Sequence, residues 1–108
     1  MKIGEIILIP FPFAELTNKK VRPAVIITET DDKYKDLVVS AISSVVPSKF
    51  SRREILLRPN KVNNLRVGSI IKVDRIVTLK RDAKIADLGR LSSKELAEFK
   101  NILTDIIK

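Results

Sequence analysis

The strongest constraint on how this chain can fold is a change of period at Ser92. Before it, apolar residues come in short, β-branched runs cut by proline and turn residues; after it they recur at helical spacing. Ser92-Ser93-Lys94-Glu95 is a capping box, in which the serine hydroxyl accepts from the Glu95 amide and the glutamate reaches back to the Ser92 amide. Leu91 and Leu96 stand at the staple positions on either side. Leu96, Phe99, Leu103 and Ile106 then repeat at spacings of three and four, widened by Ile102 and Ile107. An amphipathic C-terminal helix is predicted, its stripe packed on a sheet or barrel.

The earlier runs read as strands: 6–9, halting at Pro10-Phe11-Pro12-Phe13; 21–28, with Pro23 early enough for a strand start or edge; then 36–44, 54–57, 69–73 and 76–79. The last two are separated only by Asp74-Arg75. No repeat or Gly/Ser linker divides the 108 residues, so residues 1–108 are read as one domain. The expected class is mainly β with α (α+β): a small, strongly curved antiparallel sheet carrying one helix, as in SH3-like or oligonucleotide-binding-like barrels.

Composition removes whole classes of chemistry. Without cysteine there is no disulfide framework, zinc-thiolate site or thiol nucleophile, and without histidine no serine-histidine triad or paired-histidine ribonuclease. Lysine and arginine total 21 against 13 acidic residues, a net +8, which points to polyanions such as nucleic acid. An apolar share of 44% argues against a disordered polycation. Apolar stretches fall far short of the ~20 residues of a spanning helix. Gly4, Glu5 and Pro10 interrupt the place of a signal peptide, so a cytoplasmic location without membrane contact is expected.

Three segments can carry function. In Lys19-Lys20-Val21-Arg22-Pro23 the proline restricts Arg22 to extended backbone, and a guanidinium so held offers a planar fork to a phosphate. Lys19 and Lys20 add attraction to a phosphate backbone. Ser40-Ala41-Ile42-Ser43-Ser44 closes the third run with hydroxyls, which commonly bond only the local backbone. The stretch 47–66 sets Lys49, Arg52, Arg53, Arg58, Lys61 and Arg66 against Glu54 alone, more than half of the net charge. Phe50 within it can stack on a base, and Asn60, Asn63 and Asn64 can bond base edges. Asp31-Asp32 reads as a solvated turn.

Together these pieces resemble the MazF/PemK (Kid-like) toxins of type II toxin–antitoxin systems. Gly4-Glu5-Ile6-Ile7-Leu8-Ile9-Pro10-Phe11-Pro12-Phe13 resembles the opening of that family, and Lys20-Val21-Arg22-Pro23-Ala24-Val25-Ile26-Ile27 its most diagnostic strand. Val38-Val39-Ser40-Ala41-Ile42-Ser43-Ser44 is similar to the strand ending in the family threonine. Residues 69–79 resemble the later strand pair, and Leu88-Gly89-Arg90-Leu91 the approach to the helix. The resemblance runs in order along nearly the whole chain.

It implies a CcdB–MazF-type sheet barrel with a C-terminal helix, a homodimer, and a metal-independent, cofactor-free endoribonuclease acting on single-stranded RNA. The RNA's 2′-hydroxyl would attack the neighbouring phosphate, leaving a 2′,3′-cyclic phosphate and a 5′-hydroxyl. Arg22 and Ser43 fall on the family's catalytic arginine and threonine. Lys19, Lys20, Ser44, Lys49, Phe50, Arg52 and Arg53 would contact RNA, and a cognate acidic antitoxin would cover the same groove. Two other readings stay open: a non-catalytic nucleic-acid-binding barrel, and a CcdB-like toxin acting on a protein target. The latter relies on an aromatic C-terminal end, whereas this chain ends Ile106-Ile107-Lys108.

Overall fold

The computed structural model describes residues 2–10 and 21–108. Among them, β1 (Glu5–Pro10), β2 (Val21–Glu29), β3 (Leu37–Ser43), β4 (Glu54–Leu57), β5 (Ser69–Leu79) and β6 (Ala86–Arg90) form one curled antiparallel sheet, in the order β4-β5-β3-β2-β1-β6. The helix α1 (Ser93–Ile106) follows. The expected α+β barrel-like architecture is thus the observed one, and 54–57 is a strand over its predicted residues.

Two elements differ from expectation. Residues 69–79 form one strand of eleven residues rather than two. Ser40 pairs with Ile76 and Ala41 with Lys72, so Val73, Asp74 and Arg75 have no counterparts on β3. Extra residues of this kind bend a strand without ending it. The polar groups the bend removes from the ladder find other partners: buried Ser40 donates its hydroxyl to the Val73 carbonyl at 2.8 Å, and the Val73 amide donates to the Arg53 carbonyl at 3.0 Å. The second difference is β6, whose Ala-Asp-Leu-Gly-Arg has neither alternation nor a β-branched residue. Pairing with β1 makes it a strand. Of the two places expected for Pro23, the start of a strand is the observed one, not an edge. It is the third residue of β2, which lies between β1 and β3, and the registered pairs with β3 begin only at Ala24, beyond the proline.

Both faces of the sheet are apolar, which is why the early runs do not alternate. On one, Ile6, Val25, Ile42 and Ile71 pack with Leu57, Leu91 and fully buried Phe99 of α1. On the other, Ile7, Ile9, Ala24, Ile26, Leu37 and Val39 form a second cluster. The capping box is present: Ser92 Oγ accepts from the Glu95 amide at 3.2 Å, and Glu95 Oε1 from the Ser92 amide at 2.9 Å. Leu96, Ile102, Leu103 and Ile106 turn to the core, while Ile107, expected to widen the stripe, is 82% exposed beyond the helix end.

After β4 the chain folds back to reach β6. The Arg90 amide donates to the Val62 carbonyl at 3.0 Å, and Asn64 Nδ2 to the Leu88 carbonyl at 2.6 Å. Asparagines build this return. Fully buried Asn63 accepts at Oδ1 from the Asn60 and Leu65 amides and donates from Nδ2 to the Arg58 carbonyl. Asn60 Oδ1 accepts from the Val62 and Asn63 amides. Residues read in the sequence as able to bond base edges are therefore committed to holding the chain.

Candidate functional site

Register brings two distant sequence segments together. Ala24 pairs with Ala41, the last registered pair at this end, and Val25 with Ser40; the same count extrapolated two residues further brings Arg22 across from Ser43. Opposed residues of an antiparallel pair project from the same face with neighbouring Cβ atoms. The printed pairs extend the row on both sides: Ile9 with Arg22, Ser43 with Ile70, and Ile70 with Leu56. The Arg22 and Ser43 side chains thus leave the sheet from one face, both half-buried.

Each has a local reason for its placement. Arg22 precedes Pro23, whose ring keeps it extended. Ser43 is the last residue of β3, and its Oγ accepts from the Val45 amide at 3.1 Å. That turn fixes the oxygen and leaves the hydroxyl proton to point at a ligand. Ser44, one residue on, faces otherwise. With Arg22, Arg66, Leu8, Pro23 and Leu65 it lines a cavity of about 430 Å³. Arg22 therefore touches both environments, sharing a row with Ser43 and a cavity with Ser44.

The connection from β3 to β4 leaves directly after these serines and carries Lys49, Phe50, Arg52 and Arg53. Phe50 is 47% exposed, and Lys49 and Arg52 are exposed. The end of this connection is braced locally: the Ser51 amide donates to Glu54 Oε1 at 2.7 Å and the Arg53 amide to Ser51 Oγ at 3.2 Å. Arg53 lies 3.8 Å from Asp74, a solvent-screened pair of small energetic weight. Lys19 and Lys20 lie outside the described residues.

The acidic turn has a structural task. Asp32 Oδ1 accepts from Thr30 Oγ1 at 2.9 Å and from the Tyr34 and Lys35 amides at 3.0 and 3.2 Å. The Thr30 hydroxyl above all, with those amides, holds the Asp32 carboxyl below its usual range. The bonds stabilise a loop in which Lys35 sits at φ 52, at the opposite end of β2 from Arg22.

Two cations escaped the sequence reading as individuals. Arg66, within the basic stretch, lines the cavity beside Arg22. Lys72 shares the sheet face of Arg22 and Ser43. Its available signal was a charge inside the otherwise apolar run Ile70-Ile71-Lys72-Val73. The assembled groups can bind a phosphate through a guanidinium fork and a hydroxyl donor, with further cations on the adjoining connection.

The sequence matches, over residues 2–107, the family described as PemK-like, MazF-like toxin of type II toxin–antitoxin systems. It has no significant match among curated proteins. Solved structures share its fold, among them two mycobacterial proteins. The Mycobacterium tuberculosis toxin MazF-mt6 superposes with a TM-score of 0.73 at 17% identity, over 95% of each chain. An endoribonuclease in complex with its cognate antitoxin, from a mycobacterial species, gives 0.74 at 13% identity, over 99% of this chain and 94% of that one. Likeness at these identities speaks for the architecture.

Proposed function

This chain belongs to the PemK-like, MazF-like toxin family of type II toxin–antitoxin systems, and from that premise we propose that it is a metal-independent endoribonuclease cutting single-stranded RNA. The observation that carries the reading is the register that puts Arg22 and Ser43 on one sheet face at neighbouring ends of β2 and β3.

RNA brings its own nucleophile, which suits a chain without histidine or cysteine. The 2′-oxygen bonds to the adjacent phosphorus, the bond to the 5′-oxygen breaks, and one proton leaves the nucleophile while another reaches the leaving oxygen. The protein's task is to hold the phosphate in line and to stabilise the added negative charge of the phosphorane. Arg22 does so with a rigid two-pronged donor, and Ser43 with its hydroxyl proton on a non-bridging oxygen. The basic connection at Lys49, Phe50, Arg52 and Arg53, with Lys19 and Lys20, holds the flanking strand.

The partners follow from the same premise. A homodimer, working in the cytoplasm, is restrained by an acidic antitoxin whose charge complements the net +8 and speeds its docking. Among the described residues no helix is long and apolar enough to cross a membrane.

The decisive experiment incubates the purified protein with long single-stranded RNA in excess EDTA and analyses the product ends, alongside a strand carrying 2′-deoxyribose at the cut position. Discrete cuts with cyclic-phosphate ends, absent from the deoxy strand, are expected. Binding without cuts would instead select a non-catalytic module. Within this chemistry Ser43→Ala slows cleavage about a hundredfold, as for loss of one transition-state donor, and Ser44→Ala far less. Single-turnover rates of the two variants check the order; its reversal would put the chemistry on the cavity side of Arg22.

A further inference from the structure

Lys72 is the one charged residue in the first five of β5, Ser69-Ile70-Ile71-Lys72-Val73. Register fixes its direction. It lies opposite Ala41 on β3 and Glu54 on β4, in a row that continues through Ala24 to Ile7. Ala41 is two residues before Ser43 and Ala24 two after Arg22, so this row projects from the same face, directly beside the Arg22–Ser43 row. Diagonal neighbours across a strand pair are ~7–8 Å apart, within reach of a long side chain.

Lys72 is half-buried, and among the described residues no carboxylate stands within ion-pair distance of it. Even Glu54 directly across is engaged elsewhere, its Oε1 accepting from the Ser51 amide at 2.7 Å. A partly desolvated ammonium without a counter-charge is unfavourable, and an anion arriving on that face offsets the penalty.

We propose that Lys72 binds the RNA phosphate adjacent to the one held by Arg22 and Ser43, an inference that rests on the endoribonuclease reading. Its compact charge suits a flanking phosphate, where strength of attraction matters more than the two-pronged geometry that the reacting phosphate needs. It holds the strand at a second point, so the reacting phosphate cannot pivot about Arg22.

The test measures binding of an RNA made uncleavable by 2′-deoxyribose at the cut, as a function of salt. The proteins are the wild type, Lys72→Met, Lys72→Arg, and Lys100→Met, which removes an exposed lysine of α1. Lys72→Met should bind more weakly at low salt, with a slope of log affinity against log salt shallower by ~0.7, one single-strand phosphate contact. Lys72→Arg should recover the wild-type slope, and Lys100→Met should keep it. On cleavable RNA, Lys72→Met should raise KM and leave kcat nearly unchanged. A wild-type slope in Lys72→Met, or an equal flattening in Lys100→Met, overturns the proposal. Failure of the wild type to cut the all-ribose strand overturns the endoribonuclease reading itself and is read independently of Lys72.

Discussion

On the proposed endoribonuclease reading, Arg22→Ala is expected to lower the cleavage rate by about a thousandfold while the protein stays folded. The magnitude follows from what Arg22 faces. The phosphorane gains charge that the ground-state phosphodiester lacks, so a cation placed for that charge acts on kcat more than on binding. Arg22 is half-buried on the sheet face of Ser43, where solvent screening is reduced, and Pro23 holds its backbone extended. Arg22→Lys keeps the charge but loses the fork and should fall between wild type and alanine. Neither change removes a member of the two apolar clusters, so the chain is expected to stay folded. Single-turnover cleavage together with a melting curve checks both statements. Undiminished cleavage by Arg22→Ala would remove this residue from the site.

Of the three glycines, Gly89 is expected to be the one at which an added methyl group does most damage. A Cβ at this position would stand 2.3 Å from the Val62 carbonyl oxygen and 2.8 Å from the carbonyl carbon and oxygen of Asn63. All three are backbone atoms, without a rotamer to swing away. The return segment must move off β6, straining the Arg90 amide bond to Val62 and the Asn64 bond to the Leu88 carbonyl. A loss of about 3 kcal/mol is expected, at the upper end for overpacking. For a domain of this size that lowers the melting midpoint by about 12 °C. Gly68→Ala is the control, because a Cβ there meets nothing within 4 Å. Equal midpoints for the two variants would show that the return segment yields freely.

How far the sequence could be read follows the reach of each interaction. The helix was legible because its determinants are local: a box across four residues and a stripe from Leu96 to Ile106. Strands β2, β3 and β4 were legible to within a residue or two from β-branched runs. β6 was not, since Ala86–Arg90 owes its extended form to β1. Asp74-Arg75 looked like a turn because charge marks turns locally, whereas here the two residues stand in a bulge whose first residue, Val73, bonds Ser40 and Arg53 instead of the ladder.

At the site, the residue types were readable and their geometry was not. Arg22 and Ser43 stand out through the motifs that carry them, but their placement on one face depends on the register between two strands that the sequence does not fix. Lys72 has no motif and acquires meaning only from its row. Asn63 and Asn64 show the converse, since their composition suited base reading and tertiary contacts claimed them for the backbone.

The return of residues 60–64 onto β6 also governs how copies of this chain meet at high concentration. An edge strand with unmatched amides and carbonyls is a template on which another chain can extend the ladder, the first step of amyloid-like assembly. Here the Arg90 amide and the Leu88 carbonyl are already occupied by Val62 and Asn64. A second molecule would have to peel that segment away before adding a strand along β6, so this boundary resists templated aggregation by hydrogen bonds the fold makes within itself.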